Sequence, residues 1–157
     1  NYLARIRRGE LSDHDSLEVQ GLMTATDNLE SLADVIESDI VSLAQKASEV
    51  KSTSGEETRA MLRALYQTTV ESVELAVEAV RDNNQQAAES VLMMKDTVRE
   101  LSEQGLARTA SRLTPDDPDY LSLVRLEMAF VEQMRRIYTL AKRIAKVALP
   151  PVLAQRD

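Results

Sequence analysis

Four carboxylates, Asp27, Glu30, Asp34 and Glu37, recur at i, i+3, i+7 and i+10. On a helix of about 3.6 residues per turn this spacing gathers them into one stripe, with Glu30 and Asp34 one turn apart. Like charges at that separation cost a helix a few tenths of a kcal/mol, so the stripe either faces plain solvent or holds a cation. Oxygen donors alone favour hard cations such as Mg, Mn, Ca or iron over zinc or copper. Asp27 and Asp34 lie roughly 10 Å apart along the axis, so one ion reaches two of these side chains. Water, another helix or another chain must supply the rest of its shell.

Other chemistries are excluded by what the chain lacks. His14 is the single histidine of the 157 residues and there is no cysteine, so disulfides, thiolate metal sites and cysteine nucleophiles are absent together. A di-iron centre needs Glu-x-x-His on two helices, and a hydrolytic triad needs a histidine near a nucleophile. Neither can be assembled, and no enzyme is expected. His14 reads as a solvated or locally bonded residue near a helix start. A net charge of -7 disfavours nucleic acid or an anionic membrane as partner. No stretch approaches the roughly 20 apolar residues of a membrane span. With four tyrosines, one phenylalanine and no tryptophan, the core must be aliphatic, which suits an all-α bundle.

The elements that position the acids follow from sparse punctuation. Asp13 or Asp15 is expected to cap a first helix running to about Val50, ended by Ser52-Thr53-Ser54-Gly55. Its core stripe is assigned to Leu22, Leu29, Ile36 and Leu43, with Ala33, Ile40 and Ala47. Ser54 and Glu57 have capping-box spacing and open a second helix, with Leu62, Tyr66, Thr69, Val73, Ala76 and Val80 facing inward, up to Asp82-Asn83-Asn84. A third helix runs from Gln85 to about Leu113 through Ala87, Val91, Met94, Val98 and Leu101, with Gly105 as a weak point. Pro115-Asp116-Asp117-Pro118 forces a turn, with Asp117 as cap and Pro118 as first residue of a fourth helix. That helix uses Val131, Met134, Ile137, Tyr138, Ala141, Ile144 and Ala148, and Pro150-Pro151 closes it. Met93, Met94, Met128 and Met134 read as core filler. Arg135, Arg136, Lys142, Arg143 and Lys146 make the fourth helix basic toward its C-terminus. They either complement the helix dipole in solvent or dock an acidic partner or an anion. Short connections make the second to fourth helices an up-down-up array on which the first packs.

The run Asn28-Leu29-Glu30-Ser31-Leu32-Ala33-Asp34 resembles the signature of the PhoU family, roughly Asp-Leu-Glu-Arg-Ile-Gly-Asp. Leu29, Glu30 and Asp34 match; Asn28, Ser31 and Ala33 depart. Glu132-Gln133-Met134-Arg135-Arg136-Ile137-Tyr138 looks like a second copy, similar to the Arg-Ile-Tyr form in PhoU-like domains of bacterial sodium/phosphate cotransporters. Tyr2-Leu3-Ala4-Arg5 to Leu11-Ser12 is similar to the linker before the first signature helix of that branch. The resemblance implies a spectrin-like up-down three-helix bundle plus an additional long helix, and a role in the control of phosphate uptake. It implies metal binding by Asp27, Glu30 and Asp34, with Mg, Mn or iron as a divalent or trivalent ion. Arg136 stands where the second copy would carry aspartate, so at most one metal site is expected.

The organisation implied is an N-terminal segment over 1–14, the end of a preceding helix and a linker. A PhoU-like bundle follows over 15–149, and a tail over 150–157. The chain opens on Asn1 and is expected to be part of a longer protein, a cytoplasmic domain of an inner-membrane transporter. Its partners would be the membrane-embedded part of that chain and a second copy as homodimer, with no nucleic acid and no direct membrane insertion. The alternatives are a stand-alone PhoU-type regulator of an ATP-driven phosphate importer and its sensor kinase, or a helical adaptor or dimerisation module with no ligand.

Overall fold

A computed structural model describes residues 12–111 and 118–150. Four long helices pack as a bundle, and no strand occurs among the described residues. The first is a continuous rod made of α1 (Asp13–Asp34), a π-helical stretch (Val35–Ile40) and α2 (Val41–Glu49). Next comes α3 (Glu56–Arg81), then α4 (Gln85–Met93) and α5 (Lys95–Ser111) as one interrupted helix, then α6 (Pro118–Lys146).

Local chemistry explains most of the boundaries. Ser12 caps α1 in a reciprocal box: its hydroxyl accepts from the Asp15 N–H, and the Asp15 carboxylate accepts from the Ser12 N–H. Asp13 is thus the first helical residue and Asp15 the box partner, not the caps expected. The Ser54–Glu57 box does not form, because α3 starts one residue later behind Gly55, which provides no side-chain bond. At the next turn Asn83 adopts the left-handed conformation (φ 50°) that asparagine tolerates, and Asn84 Oδ1 caps α4 through the Ala87 N–H. The third helix is interrupted at Met94, whose N–H bonds the Val91 carbonyl in a tightened turn. Pro118 opens α6 as expected. The proposed cap Asp117, the preceding Pro115-Asp116, the terminus near Leu113, the segment before Ser12 and the tail after Pro150 lie outside the described residues.

The bundle is organised around α6, which packs on every other element. Its stripe Val124, Val131, Met134, Ile137, Tyr138, Ala141 and Ile144 is buried against α3, α4 and α5. Fully burying a side chain such as Ile144 or Leu65 contributes about 1.5–3 kcal/mol. The buried face of α3 is Met61, Leu65, Ala76 and Ala79, interleaved with Thr58, Thr69 and Ser72. These small hydroxyls enter the core because the helix satisfies them: Thr69 Oγ1 donates to the Leu65 carbonyl and Ser72 Oγ to that of Thr69. Tyr66, expected inside, is exposed; Met93, expected as filler, is 77% exposed. The helix runs through Gly105 without a break. A Cβ there would lie 3.0 Å from Met61 Cε and 3.2 Å from Val131 Cγ2, so glycine lets α3, α5 and α6 close on one another.

The first rod packs along α6, and its inward face corrects the sequence assignment. Ala25, Leu32 and Val35 are buried, whereas Leu22 (46%), Leu29 (37%) and Ile36 (46%) keep substantial exposure and Ala33 and Ala47 are exposed. The cause is the π-helical stretch. An i→i+5 turn adds one residue, so the inward positions step from Val35 to Ile40 by five instead of three or four. Beyond it Ile40 and Leu43 are half-buried as expected, while upstream the true stripe is rotated by one residue.

The candidate carboxylate face

The same rotation fixes the acidic stripe. Asp27, Glu30, Asp34 and Glu37 are all exposed, on the side of the rod turned away from α6. Among the described residues, Asp27, Glu30 and Asp34 take part in no ion pair. Glu30 and Asp34 remain one turn apart on a continuous helix, as spacing required. Among the described residues, no group of three or more His, Asp or Glu side chains converges closely enough to enclose a metal ion. Asn28 bonds its own helix: its Nδ2 donates to the Thr24 carbonyl at 2.6 Å. Ser31 likewise bonds the Asp27 carbonyl, and Thr24 and Thr26 bond those of Gln20 and Leu22. Such back-bonding slightly weakens and bends a helix, and here it leads straight into the π-helical stretch.

The basic helix has two destinations. Arg136 Nη1 donates to Asp39 Oδ2 at 2.9 Å, tying α6 to the π-helical stretch, and Arg135 pairs with Glu132 on its own helix at 3.2 Å. Both pairs are solvent-exposed and contribute at most about 1 kcal/mol each. Thus Arg136 serves an interhelical contact. Asp39 was not singled out in the sequence; only the five-residue step could have turned attention to it. Arg143 and Lys146 border a shallow furrow of about 400 Å³ with Gln20, Gly21, Thr24 and Asn28 of α1. A second furrow, about 490 Å³, lies between α2 and the start of α6, floored by Leu43, Val50, Leu126 and Ala129 and rimmed by Lys46, Glu49, Asp119 and Arg125.

Two buried polar groups also escaped sequence reasoning. Glu127 is buried on α6 and accepts from Thr109 Oγ1 of α5 at 3.2 Å. Its signal was an acid at a helical step within the stripe Val124, Val131, Met134. Tyr138, expected only as core, also donates its hydroxyl to the Val91 carbonyl at 3.0 Å, at the interruption between α4 and α5. Burial, with a smaller contribution from the Asp96 charge, pushes its pKa up to about 12.

No helix among the described residues is long and apolar enough to cross a membrane. Comparison of the chain with protein-family models, curated proteins and solved structures finds no match.

Proposed function

We propose that the chain is a PhoU-like regulatory and interaction domain of a sodium-dependent phosphate cotransporter, without catalytic activity, whose α1 binds a hard cation weakly. The observation that carries this reading is the outward, ion-pair-free placement of Asp27, Glu30 and Asp34 at the spacing of the signature they resemble. The four-helix arrangement is compatible with the three-helix bundle and additional helix that the resemblance implies. Glu30 and Asp34 would supply two oxygens, relieving their mutual repulsion, and water or another polypeptide would complete the shell. Arg136 opposes a second site at the matching place on α6.

A second reading, a helical adaptor without a ligand, is favoured by the lack of a closed ligand set among the described residues and by the exposed Leu22, Leu29 and Ile36. Calorimetric titration of Mg, Mn and ferrous or ferric iron separates the two. Wild type should bind, and metal at a hundredfold excess over Kd should stabilise the fold by about 2.7 kcal/mol. The Glu30→Gln/Asp34→Asn variant should lose both effects. Featureless traces for both proteins would leave the adaptor reading standing.

A further inference from the structure

The first rod carries two apolar lines that call for different helices. Leu22, Leu29, Ile36, Leu43 and Val50 recur every seven residues, and Ala33, Ile40 and Ala47 keep the same interval beside them. An unbroken α-helix holds both series on one face from end to end. The structure instead buries Ala25, Leu32 and Val35 in α1. Continued as α-helix, that line would reach Asp39, Ser42 and Lys46; the five-residue step from Val35 to Ile40 through the π-helical stretch spares them. The stretch thus joins an α1 in one register to an α2 in the other.

The two registers of α1 trade one kind of packing for another. The observed one brings Gly21 close to α6, where a Cβ would meet Val147 Cγ1 at 3.1 Å. Turning α1 by one residue, about 100°, gives up this close approach and the burial of Leu32 and Val35. In exchange it turns Leu22, Leu29, Ala33 and Ile36 inward, all of them exposed in the observed register. Outside its own rod, α1 packs chiefly on α6, so the turn leaves the core among α3 to α6 intact. Beyond the stretch, Ile40 and Leu43 serve as inward residues in both registers, and Arg136 holds Asp39 at 2.9 Å, so α2 keeps its place while α1 turns.

We propose that the π-helical stretch is a one-residue register switch: α1 alternates between the observed register and a straight one, in which the stretch becomes α-helix and Leu22, Leu29 and Ile36 pack on α6. The same rotation carries Asp27, Glu30, Asp34 and Glu37 from the side turned away from α6 to the flank those three side chains leave. The domain therefore offers an apolar flank in one register and an acidic flank in the other. A partner with greater affinity for either flank shifts the balance toward it.

The chain has no cysteine, so introduced pairs report the register through crosslinking by oxidised glutathione, with EDTA present throughout. Gly21→Cys/Val147→Cys joins the observed register and Leu22→Cys/Val147→Cys the straight one; both should crosslink in the full chain. Deleting Ser38 makes the path from Val35 to Ile40 a four-residue step, which fits the observed inward line to a plain α-helix and spoils the alternative. Leu29→Glu opposes the straight register alone, since only there is the side chain buried. Each change should slow the Leu22→Cys/Val147→Cys crosslink at least tenfold and leave that of Gly21→Cys/Val147→Cys within twofold. Should Gly21→Cys prevent folding, thiol labelling of Leu32→Cys takes its place: either change should slow it at least fivefold, whereas undocking of the whole rod would leave it equal or faster under Leu29→Glu. Absence of the Leu22→Cys/Val147→Cys crosslink, or a rate of crosslinking or labelling that neither change lowers, overturns the proposal. All these proteins keep Asp27, Glu30 and Asp34, so the outcome is separate from that of the metal titration.

Discussion

Tyr138→Phe should destabilise the bundle at neutral pH and stabilise it in strong base. The hydroxyl is buried and donates to the Val91 carbonyl. That carbonyl also receives the Met94 N–H, so removing the hydroxyl leaves no orphaned acceptor, and the cost stays near 1 kcal/mol. Raising the pH works in the other direction. The phenol titrates near 10 when unfolded and at about 12 in the fold, so between these values the folded chain holds more protons than the unfolded one and stability falls as pH rises. The contribution is intact below pH 10, reduced by roughly 1.4 kcal/mol at pH 11, and reduced by about 2–3 kcal/mol above pH 12. The phenylalanine variant lacks this loss. Urea unfolding followed by helical circular dichroism, at pH values from 8 to 11.5, should show wild type ahead by about 1 kcal/mol at pH 8 and the two curves crossing between roughly pH 10.5 and 11. Taking the difference between the two proteins cancels titration of every other group. Parallel curves across this range would refute the assignment of Tyr138 as a buried, neutral donor at the α4–α5 interruption.

Two further substitutions probe the packing. Leu32→Ala should cost about 2.7–5 kcal/mol in urea unfolding, because the side chain is 6% exposed; Leu29→Ala, on the open flank, should cost less than half as much, and equal costs would show that the rod is rotated otherwise. Gly105→Leu should destabilise by at least about 1–3 kcal/mol, because its Cβ already meets Met61 and Val131, and a melting temperature at or above wild type would deny the close approach of α3, α5 and α6.

Element identity and order were set locally. Four 3.6-residue patterns separated by Ser/Gly, Asp/Asn and Pro punctuation admit little besides four helices, and short connections make neighbours antiparallel. The stripe of α6 was legible because it is apolar at nearly every inward position. On α3 the inward face holds threonine and serine, so hydropathy pointed one residue away, to Tyr66. The acidic stripe was legible as a stripe, since i, i+3, i+7 spacing fixes a common face on any helix.

Which way that stripe faces was decided by tertiary packing. The rod has two apolar lines one residue apart, Ala25–Leu32–Val35 and Leu22–Leu29–Ile36, and helix geometry alone does not choose between them. Contact with α6 buries the first, and the five-residue step across the π-helical stretch transfers the inward face to Ile40 and Leu43. The pairing of Arg136 with Asp39 and that of Tyr138 with Val91 depend equally on tertiary packing. Each joins residues far apart in sequence, and local periodicity contains no information about which helix faces meet.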